Sequence, residues 1–555
     1  MEPLHYRFWP KGLPRHLDTP ATTLHHNLAV SAARYPDKPA IVFYDSVISY
    51  GQLGKEVDAM AGYLQQHCKV GHGDRVLLFS QNCPQFVIAY YAILRAGAVV
   101  VPANAMSLTP ELEHYIVDSG ARVAFAAQEL FERLVPCLRP GVIEHAIVHR
   151  YADYLTVSTL LPLPPALQEE RRVLGGPGVA RWEDALRAQC APAADHASRD
   201  DLCVLPYTSG TTGKAKGCMH AHRTVMHATL ASQVWRQLQP SSVFLAVAPL
   251  FHVLGMQNGM NVPILLGATI VMLTRWDRAA ALSLIERYRV SVWAAPPAMV
   301  IDAFSAPDLA SRDLSSLALL CGGGAAMPQA VATMLQDEYQ VVYSEAYGLS
   351  ETASFLHSNP LNRPKRQCIG IPTFDVDSRI LDAETLRELP IGEVGEIVTH
   401  APQVMLGYWR NPVADADSFI ELDGKRFLRT GDLGYVDEDG YFFIRDRLKR
   451  MINVSGYKVW PAEIENLMYQ HDAVHEACVI PSRDAQGNEK VKAVLVLKPG
   501  RETTVTAEEI ILWCRQKMSA YKVPGLVEFV DSLPKSGSGK ILWRALQDAE
   551  QAQDR

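Results

Sequence analysis

The densest run of chemically capable residues lies at 207–217, with the sequence Tyr-Thr-Ser-Gly-Thr-Thr-Gly-Lys-Ala-Lys-Gly. Its glycines let the backbone turn several N–H groups inward, and its hydroxyls and two lysines add donors and positive charge. Two residues rather than four separate the first two glycines, and alanine follows the first lysine, so this is not a Walker A loop. The segment predicts a phosphate-binding loop of another type.

Alternating strand and helix patterns supply the elements that position this loop. Apolar runs at 74–79 and 99–102 predict two strands, and residues between them repeat at helical spacing after a cap at Asn82. A second unit follows, with Thr109 as the helix cap and 122–126 as the strand. Alternation of this kind predicts an α/β fold with a mostly parallel sheet covered by helices.

Two segments bear on domain organisation. Residues 155–200 are rich in proline, glycine and charge, which predicts a surface excursion and not a domain boundary. An Asp-Gly turn signal predicts a hairpin over 435–442, after which Pro461 opens a helix and further apolar runs follow. We therefore predict a large N-terminal domain of mixed α/β layers, 1–448, and a small α+β C-terminal domain, 449–555.

Composition excludes several classes of protein. The 555 residues are 48% hydrophobic and 20% charged, which is typical of a globular protein and not of a coiled coil or a disordered chain. The net charge of −7 provides no bulk positive field for nucleic acid. Ten scattered cysteines indicate buried thiols in a reducing compartment. We expect a cytoplasmic protein without a transmembrane segment, with at most peripheral membrane contact and no nucleic-acid partner.

The 207–217 segment resembles the signature of the acyl-adenylate-forming superfamily, which includes acyl-CoA synthetases, adenylation domains of peptide synthetases and beetle luciferases. Further signatures of the superfamily occur in the expected order over nearly the whole chain. They lie at 95–98, 249–253, 322–326, 346–352, 429–432, 447–449, 455–457, 521–524 and 534–540. The chain is identified as a member of this superfamily, in its acyl-CoA synthetase branch.

The resemblance implies ATP and Mg²⁺ as cofactors. It assigns the phosphate loop to Thr208, Ser209, Gly210, Thr211, Thr212, Gly213 and Lys214. Glu351 matches the metal-binding glutamate of the superfamily, with Thr208 as a second residue of the metal site, since Mg²⁺ prefers hard oxygen ligands. Ser350 stands where many members carry threonine, and it retains the hydroxyl.

The resemblance also implies a nucleoside site. The residues are Gly323, Gly324, Ala325, Ala346, Tyr347, Gly348, Asp432 and Arg447. Tyr347 would stack on adenine, and the small residues would allow the ring to approach the backbone on its other face. Asp432 would accept hydrogen bonds from both ribose hydroxyls, with help from Arg447.

Residues near the C-terminus are implied in two half-reactions. Lys540 would reach into the site as a compact positive charge during adenylation. The small C-terminal domain would be mobile, with Lys449 at its hinge. After rotation, Ser455, Gly456 and Tyr457 would line the approach of CoA, and Gly456 would leave room for the pantetheine arm.

The acyl pocket is implied around His252, Gly322 and Ala346, and His252 is carried over as a catalytic residue. The residues neighbouring these three segments are Val253, Leu254, Met256, Val292, Trp293, Ala294 and Cys321. They include no charged partner for an amino group, which argues against an amino acid substrate. Medium- or long-chain fatty acids fit best, and aryl acids stay open.

The predicted reaction is that of an ATP-dependent acyl-CoA synthetase. A carboxylic acid and ATP give acyl-AMP and pyrophosphate, and CoA then displaces AMP. Alternatives are an acyl-AMP ligase that loads a carrier-protein thiol, an aryl-acid CoA ligase, and a luciferase-like oxygenase. A catalytically silent nucleotide-binding regulator is the alternative from another class, although the chain retains both Glu351 and Lys540. A homodimer is an open option.

Overall fold

The computed structural model describes residues 3–208, 214–323, 327–454, 457–483, 489–501, 505–535 and 541–553. Within these ranges, no helix is both long and apolar enough to cross a membrane.

Strands and helices alternate over the first two hundred residues. The strands are β1 Pro39–Phe43, β2 Ser46–Ser49, β3 Arg75–Phe79, β4 Val99–Ala103, β5 Val123–Ala127, β6 His145–His149, β7 Val179–Arg181 and β8 Leu202–Val204. The helices are α1 Leu24–Arg34, α2 Tyr50–Gln66, α3 Pro84–Arg95, α4 Thr109–Ser119, α5 Phe131–Leu134, α6 Pro165–Gln168 and α7 Trp182–Arg187.

The middle of the chain adds a second alternating series. Its strands are β9 Tyr207–Thr208, β10 Lys216–Gly217, β11 His220–Ala221, β12 Val243–Ala246, β13 Thr269–Met272, β14 Val292–Ala294, β15 Leu319–Gly322, β16 Tyr343–Tyr347, β17 His357–Ser358 and β18 Ile371–Pro372. Its helices are α8 His222–Trp235, α9 Val253–Gly255, a π-helical segment Met256–Asn261, α10 Val262–Leu266, α11 Arg278–Tyr288, α12 Pro297–Phe304 and α13 Gln329–Tyr339.

The last part of the chain is richer in antiparallel strands. They are β19 Asp377–Leu381, β20 Gly395–His400, β21 Phe419–Leu422, β22 Lys425–Val436, β23 Phe442–Arg447, β24 Ile452–Val454, β25 Tyr457–Val459, β26 Val474–Arg483, β27 Glu489–Leu497 and β28 Leu526–Phe529. The helices are α14 Pro412–Ser418, α15 Pro461–Met468, α16 Ala507–Arg515 and α17 Trp543–Gln553.

Two large sheets confirm the predicted α/β fold. One has the order β11-β8-β4-β3-β5-β6-β7, and the other has the order β18-β17-β16-β15-β14-β12-β13-β1-β2. The interior pairs are parallel, whereas β2, β11, β17 and β18 pair in antiparallel fashion. A five-stranded antiparallel sheet of β19–β23 follows and includes the predicted 435–442 hairpin.

Both predicted helix caps need correction. Cys83, not Asn82, caps α3, because its sulfur accepts from the Phe86 N–H, while Asn82 bonds to the backbone of Ala248 and Leu250. Thr109 is the first residue of α4 and donates to a carbonyl of another segment instead of capping.

The 155–200 segment is more than a surface excursion. Its strand β7 extends the first large sheet beside β6. The indole of Trp182 is buried and donates to the Tyr154 hydroxyl. The segment therefore completes the edge of the sheet, as its apolar residues require.

The last hundred residues have a hydrophobic core of their own. Its buried members are Ile452, Val459, Ile464, Met468, Val474, Ala477, Val479, Val491, Ala493, Leu495, Ile510 and Cys514. The strands β26, β27 and β28 form a three-stranded sheet against this core. Helix α15 begins at Pro461 as predicted and ends at Met468.

Candidate active site

A two-stranded hairpin carries the predicted phosphate loop. Strand β9 pairs with β10, so that Thr208 faces Lys216 and Tyr207 faces Gly217. The Tyr207 hydroxyl donates a 2.6 Å hydrogen bond to Asp118 on α4 and anchors the hairpin to the first large sheet. Of the loop itself, Lys214 is exposed, and the predicted residues Ser209, Gly210, Thr211, Thr212 and Gly213 lie outside the described residues.

Tyr408 joins the predicted metal ligand to this hairpin. Its hydroxyl donates a 2.9 Å hydrogen bond to Glu351 Oε1, and its backbone pairs with Cys218 just after the hairpin. Lys216 Nζ lies 4.9 Å from the centroid of the Tyr408 ring, in cation–π contact. Because Lys216 is the strand partner of Thr208, Glu351 is held beside the hairpin. A carboxylate in this place suits Mg²⁺, which combines one or two carboxylates with phosphate oxygens and water.

A buried histidine fixes the turn that carries Glu351. Residues Ser350–Thr352 form a single 3₁₀ turn. His220 Nε2 lies 2.7 Å from the Ser350 carbonyl oxygen, and His220 Nδ1 lies 3.1 Å from the Thr224 hydroxyl. Burial lowers the pKa of His220 to about 4, so the ring stays neutral at physiological pH. The neutral ring therefore positions the turn without adding charge to the site.

The predicted adenine and ribose residues form one hydrogen-bonded group. The Tyr347 hydroxyl donates a 2.6 Å hydrogen bond to Asp432 Oδ2, and Arg447 Nε lies 2.8 Å from Asp432 Oδ1. Burial raises the pKa of Tyr347, so its hydroxyl remains a donor. The Asp432 side chain is only 3% exposed, and its charge raises the pKa of Arg447.

The carboxylate of Glu396, on the neighbouring strand β20, holds the turn that presents Asp432. Arg429 donates to Glu396 Oε2 through Nε at 2.9 Å and Nη2 at 2.6 Å. The Gly431 N–H donates to Glu396 Oε1, and Gly431 has φ of +69°, a backbone conformation that favours glycine. The Arg-Thr-Gly-Asp sequence is thus explained by a paired arginine and a glycine turn.

Small residues are required where β15 and β16 end side by side. A Cβ atom on Gly323 would lie 2.2 Å from the carbonyl oxygen of Ala346. A Cβ atom on Gly348 would lie 0.9 Å from the carbonyl oxygen of Ser354. Ligands of α/β sheets bind at such carboxyl ends of parallel strands. The next two residues of the predicted adenine wall, Gly324 and Ala325, lie outside the described residues.

A buried carboxylate on β16, that of Glu345, was not predicted. Glu345 Oε1 accepts from the Met327 N–H at 2.8 Å, and Oε2 accepts from the Cys368 N–H at 2.9 Å. Burial raises the pKa of Glu345 to about 7, although both backbone donors favour the carboxylate. Glu345 therefore ties the segment after the adenine wall to the strand that carries Tyr347.

These geometries agree with a comparison against known families. The AMP-binding enzyme family matches residues 28–409, and the AMP-binding enzyme C-terminal domain matches residues 463–540. The chain belongs to the AMP-binding enzyme family. The match covers the phosphate-loop hairpin, the Glu351 turn and Tyr408.

Relatives of this AMP-binding enzyme cover almost its whole length. A long-chain-fatty-acid–CoA ligase of Bacillus subtilis (strain 168) is 33% identical, with 98% of this chain and 97% of that protein covered. A feruloyl-CoA synthase of Amycolatopsis sp is also 33% identical, over 91% of this chain and 95% of that protein. The crystal structure of an anthranilate CoA ligase with anthranoyl-AMP has a TM-score of 0.84 at 27% identity and covers 98% of this chain and 99% of that chain.

His252 begins the segment assigned to the acyl pocket. It stands at the N-cap of the short helix α9, and its Nδ1 accepts from the Leu254 N–H at 3.3 Å. This contact gives the ring a structural role. Its predicted catalytic role stays a prediction.

The residues around the predicted hinge are held by ion pairs. Lys449 lies in the 3₁₀ turn Leu448–Arg450, where partial burial and the charges of Lys216 and Arg544 lower its pKa. The guanidinium of Arg450 pairs with Glu465 on α15. The predicted hinge therefore lies close to the phosphate-loop hairpin of this AMP-binding enzyme.

Three predicted residues of the second half-reaction and of adenylation lie outside the described residues, namely Ser455, Gly456 and Lys540. The backbone of Tyr457 pairs with Val454 in the β24–β25 hairpin. Their roles stay predictions.

Proposed function

We propose that this AMP-binding enzyme is an ATP-dependent acyl-CoA ligase. In its first half-reaction a carboxylate oxygen attacks the α-phosphorus of ATP. The bond between this phosphorus and the oxygen that bridges to the β-phosphorus breaks, and pyrophosphate leaves with that oxygen. In the second, the sulfur of CoA attacks the acyl carbon, and AMP leaves with the bridging oxygen. The thiol proton passes to solvent or to a nearby base.

The observation that carries the proposal is that two groups of side chains, one suited to a nucleoside and one suited to phosphates, occur in the same chain. Tyr347, Asp432 and Arg447 form a single group, and Glu351 stands beside the phosphate-loop hairpin through Tyr408. The first group suits a nucleoside, with a ring for adenine and a carboxylate for two hydroxyls. The second supports the proposal because it holds a hard oxygen beside the hairpin that leads into the predicted phosphate loop.

The side chains would divide the work of adenylation. Thr208 and the loop N–H groups would hold the phosphates, and Lys216 would add positive charge from the adjacent strand. Glu351 and Thr208 would hold Mg²⁺, which neutralises charge on the leaving pyrophosphate when it is bound. Tyr408 would keep the Glu351 carboxylate oriented, since its hydroxyl donates to Oε1.

We further propose a division at Lys449 into an N-terminal domain, 1–448, and a mobile C-terminal domain, 449–555. The separate core of the last hundred residues and the separate match at 463–540 support it. Lys540 would act in the adenylating orientation, and Ser455, Gly456 and Tyr457 would face CoA after rotation.

Apolar carboxylic acids are the proposed substrates, with fatty acids favoured by the names of many relatives. The equal identity to a feruloyl-CoA synthase keeps an aryl-acid ligase as the second candidate. Loading of a carrier-protein thiol would use the same first half-reaction.

The test is exchange of labelled pyrophosphate into ATP, with and without a carboxylic acid, followed by AMP release on addition of CoA. Exchange that depends on the acid but not on CoA is the expected result. Formation of ADP would contradict the proposal, because it would mean transfer of the γ-phosphoryl group. A panel from acetate to oleate, with aryl acids, would show efficiency rising beyond about six carbons, since each buried methylene contributes about 0.8 kcal/mol.

A further inference from the structure

Arg236 is a buried cation without a carboxylate partner among the described residues. It follows the last residue of α8 and is 6% exposed. Its Nη1 donates to Asn258 Oδ1 at 2.6 Å and to the Ser232 hydroxyl at 3.0 Å. Its Nε is buried and has no hydrogen-bond partner in the part of the chain that the structure describes. The guanidinium also lies 5.0 Å from the centroid of the Phe355 ring.

A second buried cation in the chain shows how unusual this is. Lys492 is as deeply buried, at 9% exposed, and it pairs with both Glu528 and Glu550. Burial of a charge is costly unless an opposite charge and hydrogen bonds compensate it. The helix C-terminus, the Asn258 amide and the Phe355 ring supply only partial charges to Arg236. Among the described residues, the Nε–H of Arg236 therefore has no acceptor, and its positive charge has no anionic partner.

Arg236 interacts with three segments near the predicted acyl pocket. Asn258 lies in the π-helical segment that follows His252 and α9. The charge of Arg236 also acts on Cys321, next to Gly322 at the end of β15, and on Tyr343 in β16, where it opposes the burial that raises both pKa values. These interactions put the guanidinium beside the segments assigned to the pocket.

The residues expected around the acyl pocket divide between two hydrophobic clusters. Val292, Ala294 and Cys321 share one hydrophobic cluster, whereas Trp293 belongs to another and stacks on Trp276. Adjacent strand residues point to opposite faces, so Trp293 cannot line the same pocket as its neighbours. Arg236 was not predicted because it follows α8 and belongs to none of the motifs assigned to the pocket.

We propose that Arg236 recognises a second carboxylate at the distal end of the acid substrate, which narrows the apolar carboxylic acids proposed above to α,ω-dicarboxylic acids with an apolar chain. The inference rests on the proposed ligase function. A carboxylate would accept the unpaired Nε–H together with a guanidinium Nη–H, the two-point geometry that arginine favours. The apolar residues around Cys321 would contact the methylene chain.

The experiment compares chain-matched acids on the full chain. Hexanoate is paired with adipate, octanoate with suberate, and dodecanoate with dodecanedioate, with kcat/KM measured by AMP release. For the unaltered protein we expect at least one diacid to exceed its monoacid partner by tenfold or more. Arg236→Met, which keeps the apolar volume, should lower that ratio at least tenfold and raise kcat/KM for the monoacid. Arg236→Lys, which keeps the charge but not the fork, should give an intermediate ratio.

The outcomes are distinguishable. A diacid-to-monoacid ratio that Arg236→Met leaves unchanged overturns the inference, even if both activities fall, because that is the effect of a purely structural arginine. Turnover confined to monoacids in the unaltered protein overturns it as well, while the ligase function stands. Absence of pyrophosphate release with every acid would instead remove the ligase function and the inference with it. If Arg236→Met does not fold, the binding of diacids and of their chain-matched monoacids to the unaltered protein is compared by calorimetry. We expect at least one diacid to bind at least tenfold more tightly than its monoacid, and equal affinities would overturn the inference.

Discussion

The hydroxyl of Tyr347 donates a 2.6 Å hydrogen bond to Asp432, so that the proposed adenine-stacking ring and the proposed ribose-binding carboxylate are held by one contact. Asp432 uses its other oxygen for Arg447, which leaves the carboxylate fixed from two sides before any nucleotide arrives. Preorganisation of this kind lowers the entropic cost of binding. The pair therefore links two parts of the nucleoside site that lie 85 residues apart in sequence.

Tyr347→Phe should weaken ATP binding without preventing catalysis. The ring is retained for stacking, but Asp432 loses a donor, and hydrogen bonds to charged groups contribute about 1.5–3 kcal/mol. We expect the KM for ATP to rise about tenfold, with a smaller change in kcat. Tyr435→Phe, in the same strand as Asp432 but with its ring stacked on Phe443, is the control and should leave the KM for ATP alone. Equal effects of the two substitutions would contradict the role of the contact.

Tyr408→Phe should change how the enzyme responds to Mg²⁺. Removal of the hydroxyl takes away the 2.9 Å bond to Glu351, while the ring still contacts Lys216. We expect the Mg²⁺ concentration for half-maximal activity to rise about tenfold, since a hydrogen bond to a charged group contributes about 1.5–3 kcal/mol. Glu351→Gln should cost about 10²–10³ in kcat, as loss of a well-placed electrostatic group does. A Tyr408→Phe protein with an unchanged Mg²⁺ titration would show that the bond does not position the metal ligand.

Much of the fold could be predicted because its signals are local. The runs at β3 and β4 are continuous and apolar, as buried parallel strands require, and the helix between them has Pro84 in its first turn. Asp432 and Glu351 were found because they belong to compact motifs. Their roles remain proposals, and the structure shows only their contacts, Asp432 with Tyr347 and Glu351 with Tyr408.

The residues that were missed have partners distant in sequence. Tyr408 lies 57 residues from Glu351, and the Arg236 guanidinium meets Asn258 across a helix end. No periodicity predicts such contacts, because they depend on how whole elements pack. The cap of α3 was misplaced for a related reason, since Asn82 is used by Ala248 and Leu250 of another element.

Glu345 should make stability depend on pH in a direction unusual for an acid. Burial raises its pKa from an ordinary value of 4.5 to about 7, so the folded protein holds a proton that the unfolded chain releases. The contribution of this group to the free energy of unfolding is therefore full below about pH 4.5, falls as pH rises to about 7, and is constant above that. The change is on the order of 3 kcal/mol.

Thermal midpoints of the unaltered protein and Glu345→Gln, measured from pH 5 to pH 8, test this expectation. An amide does not titrate, so the difference between the two midpoints should vary with pH over this range. A difference that is constant from pH 5 to pH 8 would show that Glu345 does not titrate there. The KM for ATP should rise in Glu345→Gln, because an amide can accept from only one of the Met327 and Cys368 N–H groups.

Two substitutions near the C-terminus should separate the half-reactions. Lys540→Ala removes the proposed charge contact of adenylation, and we expect pyrophosphate exchange to fall about 10²–10³-fold. Conversion of chemically supplied acyl-AMP to acyl-CoA should persist, since that step does not use this lysine. Gly456→Leu should do the reverse, because a side chain there would obstruct the pantetheine arm.

Lys535→Ala is the matched control for Lys540→Ala, since it removes a lysine from the same motif whose ammonium pairs with Glu476. It should leave both half-reactions within about twofold, because exposed ion pairs contribute about 0.2–1 kcal/mol to stability. Each protein is assayed for acid-dependent pyrophosphate exchange and for thioester formation from supplied acyl-AMP. If Lys540→Ala and Gly456→Leu slow both steps equally, one face of the C-terminal domain serves the whole reaction, and rotation about Lys449 is not part of this enzyme's cycle.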